Sequence, residues 1–177
     1  KSAERLVYFN PHLAEDARAV YQSSLPNETE EILGMHLIGD SIFSIPSYWL
    51  ADKLARQGVP VWFYQFDWEK DNRFKAQHAA DQCFFFGNLD THVGKYLTGE
   101  PDSQDIKEKR QSLSHYMMDA LLAFSEAGKP DKANIWPAYC EKDRAVMSFN
   151  YDSTITHDPI LQRRRWWYEN IYSKFYA

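Results

Sequence analysis

The sequence is poor in cysteine and glycine and has no long apolar run. Only two of its 177 residues are cysteines, Cys83 and Cys140. They are too few for a disulfide framework, so we expect two reduced, buried thiols, although a single bridge stays open. No window approaches the roughly 18 apolar residues of a membrane span, and the polar first residues do not look like a signal peptide. No glycine-rich phosphate loop is present. We therefore expect no membrane segment and no cofactor.

The charge balance also excludes one class of partner. The net charge is −5, with 25 acidic residues against 20 basic ones, whereas a nucleic-acid surface needs clustered Lys and Arg. The densest basic run is Arg163-Arg164-Arg165, and aromatic residues follow it at once. Such a run is typical of a solvated helix face, so we predict no binding of nucleic acid. The length fits one domain, at roughly 100–200 residues each.

Hydrophobic periodicity predicts many helices and few strands. Residues 59–66 are β-branched and aromatic without polar alternation, which predicts a strand covered on both faces, as in a parallel sheet. Alternation over residues 146–151 predicts a second, short strand. The long stretch 88–103 is expected to be loop. Two strands do not make an independently stable sheet, so we expect more sheet from missing chain or from a second copy. Helices are predicted over residues 10–24, 28–38, 46–57, 103–127 and 158–175.

The most informative stretch is residues 77–88, QHAADQCFFFGN. It resembles the histidine loop of the type-B carboxylesterases, the family of cholinesterases and bacterial para-nitrobenzyl esterases. Residues 58–68 are similar to the strand that delivers this loop, and the WPAY turn at 136–139 also fits. The resemblance covers residues 11–151. It implies an α/β fold, the C-terminal part of an α/β-hydrolase, with few parallel strands flanked by helices and an incomplete sheet.

The resemblance implies that His78 is the general base of a serine esterase. Imidazole titrates near neutral pH, so it can take the serine proton and return it to the leaving alkoxide. Asp81, three residues later, is then a buried carboxylate beneath the site that transfers no proton. The aromatic residues Trp62, Tyr64, Phe66 and Trp68 are expected to support the loop.

The resemblance also implies that the rest of the triad lies elsewhere. The order along such chains is Ser, acid, His, and the sequence contains no Gly-x-Ser-x-Gly turn. Within this chain only Glu4 offers itself as the acid, and because Arg5 follows it where the family has Gly, we expect a surface residue. We thus interpret residues 1–177 as one C-terminal segment of a catalytic domain. A missing N-terminal part would supply serine and acid against a small-molecule ester, and this chain alone would be inactive.

Two other interpretations remain open. Gly39-Asp40-Ser41 is similar to the nucleophile block of another esterase group, which would make Ser41 a nucleophile, although no His has Asp three residues before it. The chain could also be a non-catalytic interaction module with an esterase-like shape. A metal site is not expected, since His78 and Asp81 lack a third ligand at suitable spacing. An open sheet edge with many aromatic residues predicts a homo-oligomer.

Overall fold

The computed structural model describes residues 13–69, 75–131 and 134–173. They form two compact units. The helical unit comprises the described residues up to Gln57 and from Asp158 onward, and the sheet unit comprises Gly58–His157. The interpretation of the chain as a single region of a catalytic domain stays a prediction. The expected helix start at Asn10 and the candidate acid Glu4 lie outside the described residues.

The helical unit consists of four α-helices and two π-helical turns within the described residues. The Thr29 side chain caps the second helix by accepting a hydrogen bond from the backbone N–H of Ile32 at 3.3 Å. The sequence predicts a break between the helices at 28–38 and 46–57, and this prediction was wrong. Gly39 keeps helical dihedrals, and the helix continues through a π-helical turn. The elements are α1 (Leu13–Ser24), α2 (Glu30–Gly39), a π-turn (Asp40–Ser44), α3 (Ile45–Arg56), α7 (Leu161–Trp167) and a second π-turn (Tyr168–Tyr172).

Buried charges hold the helical unit together. Arg163 and Arg164 were expected on a solvated face, yet they are only 7% and 5% exposed. Arg163 lies 3.1 Å from a carboxylate oxygen of Asp40, and Arg164 donates two hydrogen bonds to Asp158 at 2.9 and 2.5 Å. The prediction was wrong because acids elsewhere in the sequence neutralise both cations, which makes their burial tolerable.

The sheet unit contains three strands in the order β1 (Tyr64–Phe66), β2 (Ala145–Phe149) and β3 (Thr154–His157). β1 pairs with β2 in parallel, as predicted, with Tyr64 opposite Met147. The expected strand over residues 59–66 with both faces covered was wrong, because β1 has only three residues and Tyr64 is 37% exposed at the edge of the described sheet. β3, which was not predicted, returns antiparallel to β2 with Met147 opposite Ile155. Among the described residues β1 is an edge strand, because only β2 pairs with it.

Three helices cover this sheet unit: α4 (Ala80–Phe85), α5 (His92–Thr98) and α6 (Gln104–Ala127). Ser103 caps α6 and Gly128, at φ 70°, ends it, so the predicted bounds 103–127 are confirmed. The expectation of a loop at 88–103 was wrong where α5 lies. Gly94 is there for close packing, since a Cβ on it would stand 2.1 Å from the Asn88 carbonyl oxygen.

Aromatic side chains dominate the core of the sheet unit. Phe84 and Phe149 are both fully buried, and rings from the strands, α4 and α6 surround them. Cys83 is buried as expected, whereas Cys140 is exposed, so the prediction of two buried thiols was wrong for Cys140. None of the described helices is both long and apolar enough to cross a membrane.

Candidate active site around His78

His78 lies on an exposed turn immediately before α4. The following residue, Ala79, adopts left-handed dihedrals (φ 65°, ψ 2°), which non-glycine residues rarely do. Two backbone bonds close the turn, from the Ala80 N–H to the Gln77 carbonyl at 3.2 Å and from the Gln82 N–H to the Ala79 carbonyl at 3.3 Å. His78 is therefore presented to the surface by a tight, unusual piece of backbone, a feature common at functional sites.

Asp81 lies in the first turn of α4 and is half-buried. Its carboxylate accepts a hydrogen bond from the Tyr64 hydroxyl of β1 at 2.8 Å. Burial raises the pKa of Tyr64, and the negative charge of Asp81 and this hydrogen bond raise it further. The Tyr64 hydroxyl thus stays protonated well above neutral pH and remains a donor to Asp81.

A polar network holds the other end of α4. Ser114 on α6 donates to the Phe84 carbonyl at 2.8 Å, and Arg110, one helical turn earlier, donates to the Leu89 carbonyl and to the Thr98 hydroxyl, both at 2.7 Å. Burial lowers the pKa of Arg110, and nearby Asp90 partly opposes that effect. Sequence reasoning missed this network, although two polar residues on the apolar face of α6 were its signal.

The four aromatic residues expected to support the loop behave differently. Phe66 and Trp68 pack on Phe84 of α4, with ring centroids 5.2 and 5.3 Å apart. Tyr64 contacts Phe85 of the same helix at 5.5 Å. Trp62 instead contacts Phe124 of α6 at 5.9 Å. Three of the four thus form the support beneath α4, whose start carries His78.

The alternative nucleophile Ser41 lies in the helical unit, where it serves helix geometry. Its hydroxyl donates to the Ile38 carbonyl at 2.8 Å, in the preceding turn. The neighbouring Asp40 accepts a hydrogen bond from the Tyr21 hydroxyl at 2.7 Å and pairs with Arg163. The polar groups of the Gly-Asp-Ser block are therefore used within the unit, and they do not form an array for activating a serine.

Two further arrangements bear on metal and acid–base chemistry. Across the three described ranges, no three His, Cys, Asp or Glu side chains come together in a way that could hold a metal ion. His157 at the end of β3 lies 2.8 Å from a carboxylate oxygen of Asp143, with both side chains more than half exposed. Sequence reasoning did not single out this pair, which forms an exposed contact between β3 and the turn before β2.

Comparisons with known proteins point to one family. The model of the carboxylesterase family matches residues 4–167. The para-nitrobenzyl esterase of Bacillus subtilis is 31% identical over 156 residues, which make up 86% of this chain and 29% of that protein. Human carboxylesterase 5A is 30% identical over 115 residues, 59% of this chain and 19% of that protein. The chain thus spans less than a third of the length of either relative.

The solved structures agree with the predicted fold class. The crystal structure of a carboxylesterase from Geobacillus stearothermophilus at pH 6.2 superposes with a TM-score of 0.71 at 26% identity, covering 86% of this chain and 31% of that one. The α/β class, with helices around a small incomplete sheet, is therefore confirmed as part of an α/β-hydrolase. The resemblance read from residues 77–88 is confirmed at the level of the family.

Proposed function

The chain belongs to the carboxylesterase family, and we propose that it is the histidine-bearing portion of a serine esterase that hydrolyses small carboxylic esters through an acyl-enzyme. One observation carries the proposal most directly. Within the segment that matches the family, His78 stands exposed on a strained turn whose helix is anchored to β1 through Asp81 and Tyr64. A reactive side chain at the surface of a rigid support is what general-base catalysis requires.

In this mechanism His78 acts twice. Its imidazole removes the proton of a serine hydroxyl as that oxygen attacks the ester carbonyl, and it then returns the proton to the leaving alkoxide. In the second half it activates water to release the acid from the acyl-enzyme. Asp81 and Tyr64 hold the turn and exchange no proton with the substrate.

The serine, the triad acid and the oxyanion-hole donors are proposed to come from a part of the protein outside these 177 residues. The matched relatives are more than three times as long as the matched segment. Among the described residues, one edge of β1 has no partner strand, which also supports a part of the protein outside this chain. The Phe63 carbonyl accepts from the Met147 N–H at 2.9 Å, and the Asp67 N–H donates to the Phe149 carbonyl at 2.8 Å. By strand alternation, the backbone groups of Tyr64 and Phe66 face away from β2, where another strand would pair.

The test compares ester hydrolysis by the full gene product that contains these residues with hydrolysis by the 177-residue chain. We expect the full product to turn over p-nitrophenyl acetate and the chain alone to show no rate above background. His78→Ala should lower kcat roughly 10⁶-fold, the order of effect seen when a triad histidine is removed. His115→Ala, at an exposed position on α6, is the matched control and should leave kcat unchanged.

Two results would overturn the proposal. The first is a His78→Ala protein as active as the wild type. The second is turnover by the 177-residue chain that disappears in Ser41→Ala, because the chain would then be a hydrolase of its own. The predicted self-association through the open sheet edge stays a prediction.

A further inference from the structure

We propose that Tyr64 is a positioning residue of this esterase site, which orients the His78 turn by holding Asp81. The inference rests on the proposed function, because it assigns Tyr64 a role in the reaction of His78. Asp81 came from the family resemblance, whereas the partner of its carboxylate is found only in the structure. Among the described residues, Tyr64 is the side chain outside α4 that hydrogen-bonds to this carboxylate.

Tyr64 contacts α4 at two points one helical turn apart. Its hydroxyl donates to Asp81 at 2.8 Å, and its ring meets the edge of Phe85 at 5.5 Å with an interplanar angle of 68°. Asp81 and Phe85 are four residues apart, so both lie on the same face of the helix. The Tyr64 side chain thus fixes both the rotation of α4 about its axis and the distance between its first turn and β1.

The Tyr64 ring is itself held in place. Its centroid lies 5.5 Å from that of Phe149, which is fully buried, and 6.4 Å from that of Trp136 in a perpendicular arrangement. Tilted and edge-to-face ring pairs of this kind are favourable beyond the area that they bury. The hydroxyl therefore offers Asp81 a donor whose position is set by the core of the sheet unit.

The turn that carries His78 needs such a tether. α4 has only six residues, and helices of this length are marginal on their own. The backbone bonds at its start are long, at 3.2 and 3.3 Å, and they close around Ala79 in its left-handed conformation. Fraying of this first turn would swing His78, which precedes Ala79. The Tyr64–Asp81 bond opposes the fraying, because Asp81 is the second residue of the helix.

The catalytic test is a double-mutant cycle in the full gene product: Tyr64→Phe, Asp81→Ala and the double variant, with p-nitrophenyl acetate as substrate. We expect Tyr64→Phe to lower kcat about tenfold, the effect of one hydrogen bond, and to leave KM within about twofold. Because Tyr64 acts through Asp81, the double variant should be no slower than Asp81→Ala alone.

Tyr116→Phe is the matched control. Tyr116 also packs its ring against Phe149, at 5.7 Å, and over the described ranges its hydroxyl makes no hydrogen bond. We expect its kcat and KM to stay within about twofold of wild type. Equal kcat in Tyr64→Phe and Tyr116→Phe, or fully additive effects of Tyr64→Phe and Asp81→Ala, would overturn the positioning role.

A second readout needs no activity. In the full gene product, amide hydrogen exchange at Ala80 and Gln82 should accelerate severalfold in Tyr64→Phe and stay unchanged in Tyr116→Phe. The two hypotheses can then fail separately. Full activity of His78→Ala would reject the esterase proposal whatever the exchange rates are. Unchanged exchange at Ala80 and Gln82 in Tyr64→Phe would reject the tether, even where His78→Ala is inactive.

Discussion

The helical unit buries more charged side chains than the sheet unit, although both interiors are mainly apolar. In the helical unit, Asp40, Arg163 and Arg164 lie in the interior, each at 7% exposure or less. In the sheet unit the interior is built from rings, and Phe84 and Phe149 are completely enclosed. Charges must be paired in exact directions, whereas rings are stabilised mainly by the area they bury. The candidate active site stands in the unit with the aromatic core.

This difference explains how the site can be both rigid and reactive. Three rings pack beneath α4 and leave its outer side exposed, namely those of Tyr64, Phe66 and Trp68. The polar end of one of them, the Tyr64 hydroxyl, then reaches the first turn. His78 can stay exposed because apolar packing below it, and not its own burial, holds the backbone.

The largest expected change in stability comes from a substitution in the polar interior of the helical unit. Asp40→Ala should lower the free energy of unfolding by about 3–5 kcal/mol, because it leaves the buried Arg163 cation without its counter-ion and the Tyr21 hydroxyl without its acceptor. Urea titration measures the change. Asp16→Ala on exposed α1 surface is the control and should stay within about 0.5 kcal/mol. A loss below about 1 kcal/mol in Asp40→Ala would mean that the two units are stabilised alike.

The sequence foretold elements whose signals are local. Ser103 and Gly128 mark the ends of α6, and the observed helix starts within one residue of the predicted bound. The family match likewise rests on a contiguous block, residues 77–88. These features could be read because cap residues and a short motif act on their immediate neighbours.

The sequence did not reveal partners that lie far apart along the chain. Asp40 meets Arg163 across 123 positions, so nothing near either residue announces the pair. Tyr64 meets Asp81 across 17 positions, because β1 delivers one and α4 the other. Gly94 lies in the stretch predicted as loop, although it sits inside α5, where the nearby Asn88 carbonyl leaves no room for a Cβ. In each case tertiary contact overrode the local preference.

The next effect compares the tyrosines of the two units at alkaline pH. Burial raises the pKa of Tyr21 in the helical unit, and the Asp40 charge raises it further. Burial likewise raises the pKa of Tyr64 in the sheet unit. Below about pH 10 each hydroxyl is protonated in both the folded and the unfolded chain, so its contribution to stability is fully present. Above that pH only the unfolded chain ionises, and the contribution is lost as pH rises toward the raised folded pKa.

We therefore expect the free energy of unfolding to fall by up to about 1.4 kcal/mol per pH unit above pH 10 for Tyr21, which is buried, and by less for Tyr64, because solvent screens a side chain that is 37% exposed. Tyr21→Phe and Tyr64→Phe should each make this slope shallower, as measured by urea titrations at several pH values. An equal slope in wild type and in both variants would contradict a raised pKa of either hydroxyl in the folded chain.

The smallest effect concerns the backbone beneath His78. Ala79 pays for its left-handed conformation with roughly 1–2 kcal/mol, a strain that glycine does not have. Since glycine also gains about 0.5–1 kcal/mol of entropy in the unfolded chain, Ala79→Gly should raise the free energy of unfolding by only about 0.5–1 kcal/mol. Thermal unfolding followed by circular dichroism measures the shift.

Ala123→Gly gives the matched control, because the same substitution inside α6 should cost about 1 kcal/mol. The two variants should therefore shift the melting temperature in opposite directions. If both substitutions lowered the melting temperature, Ala79 would be helical or extended in solution. The turn would then not present His78 in the way that its role as base requires. Opposite signs would show that Ala79 is strained in the folded protein.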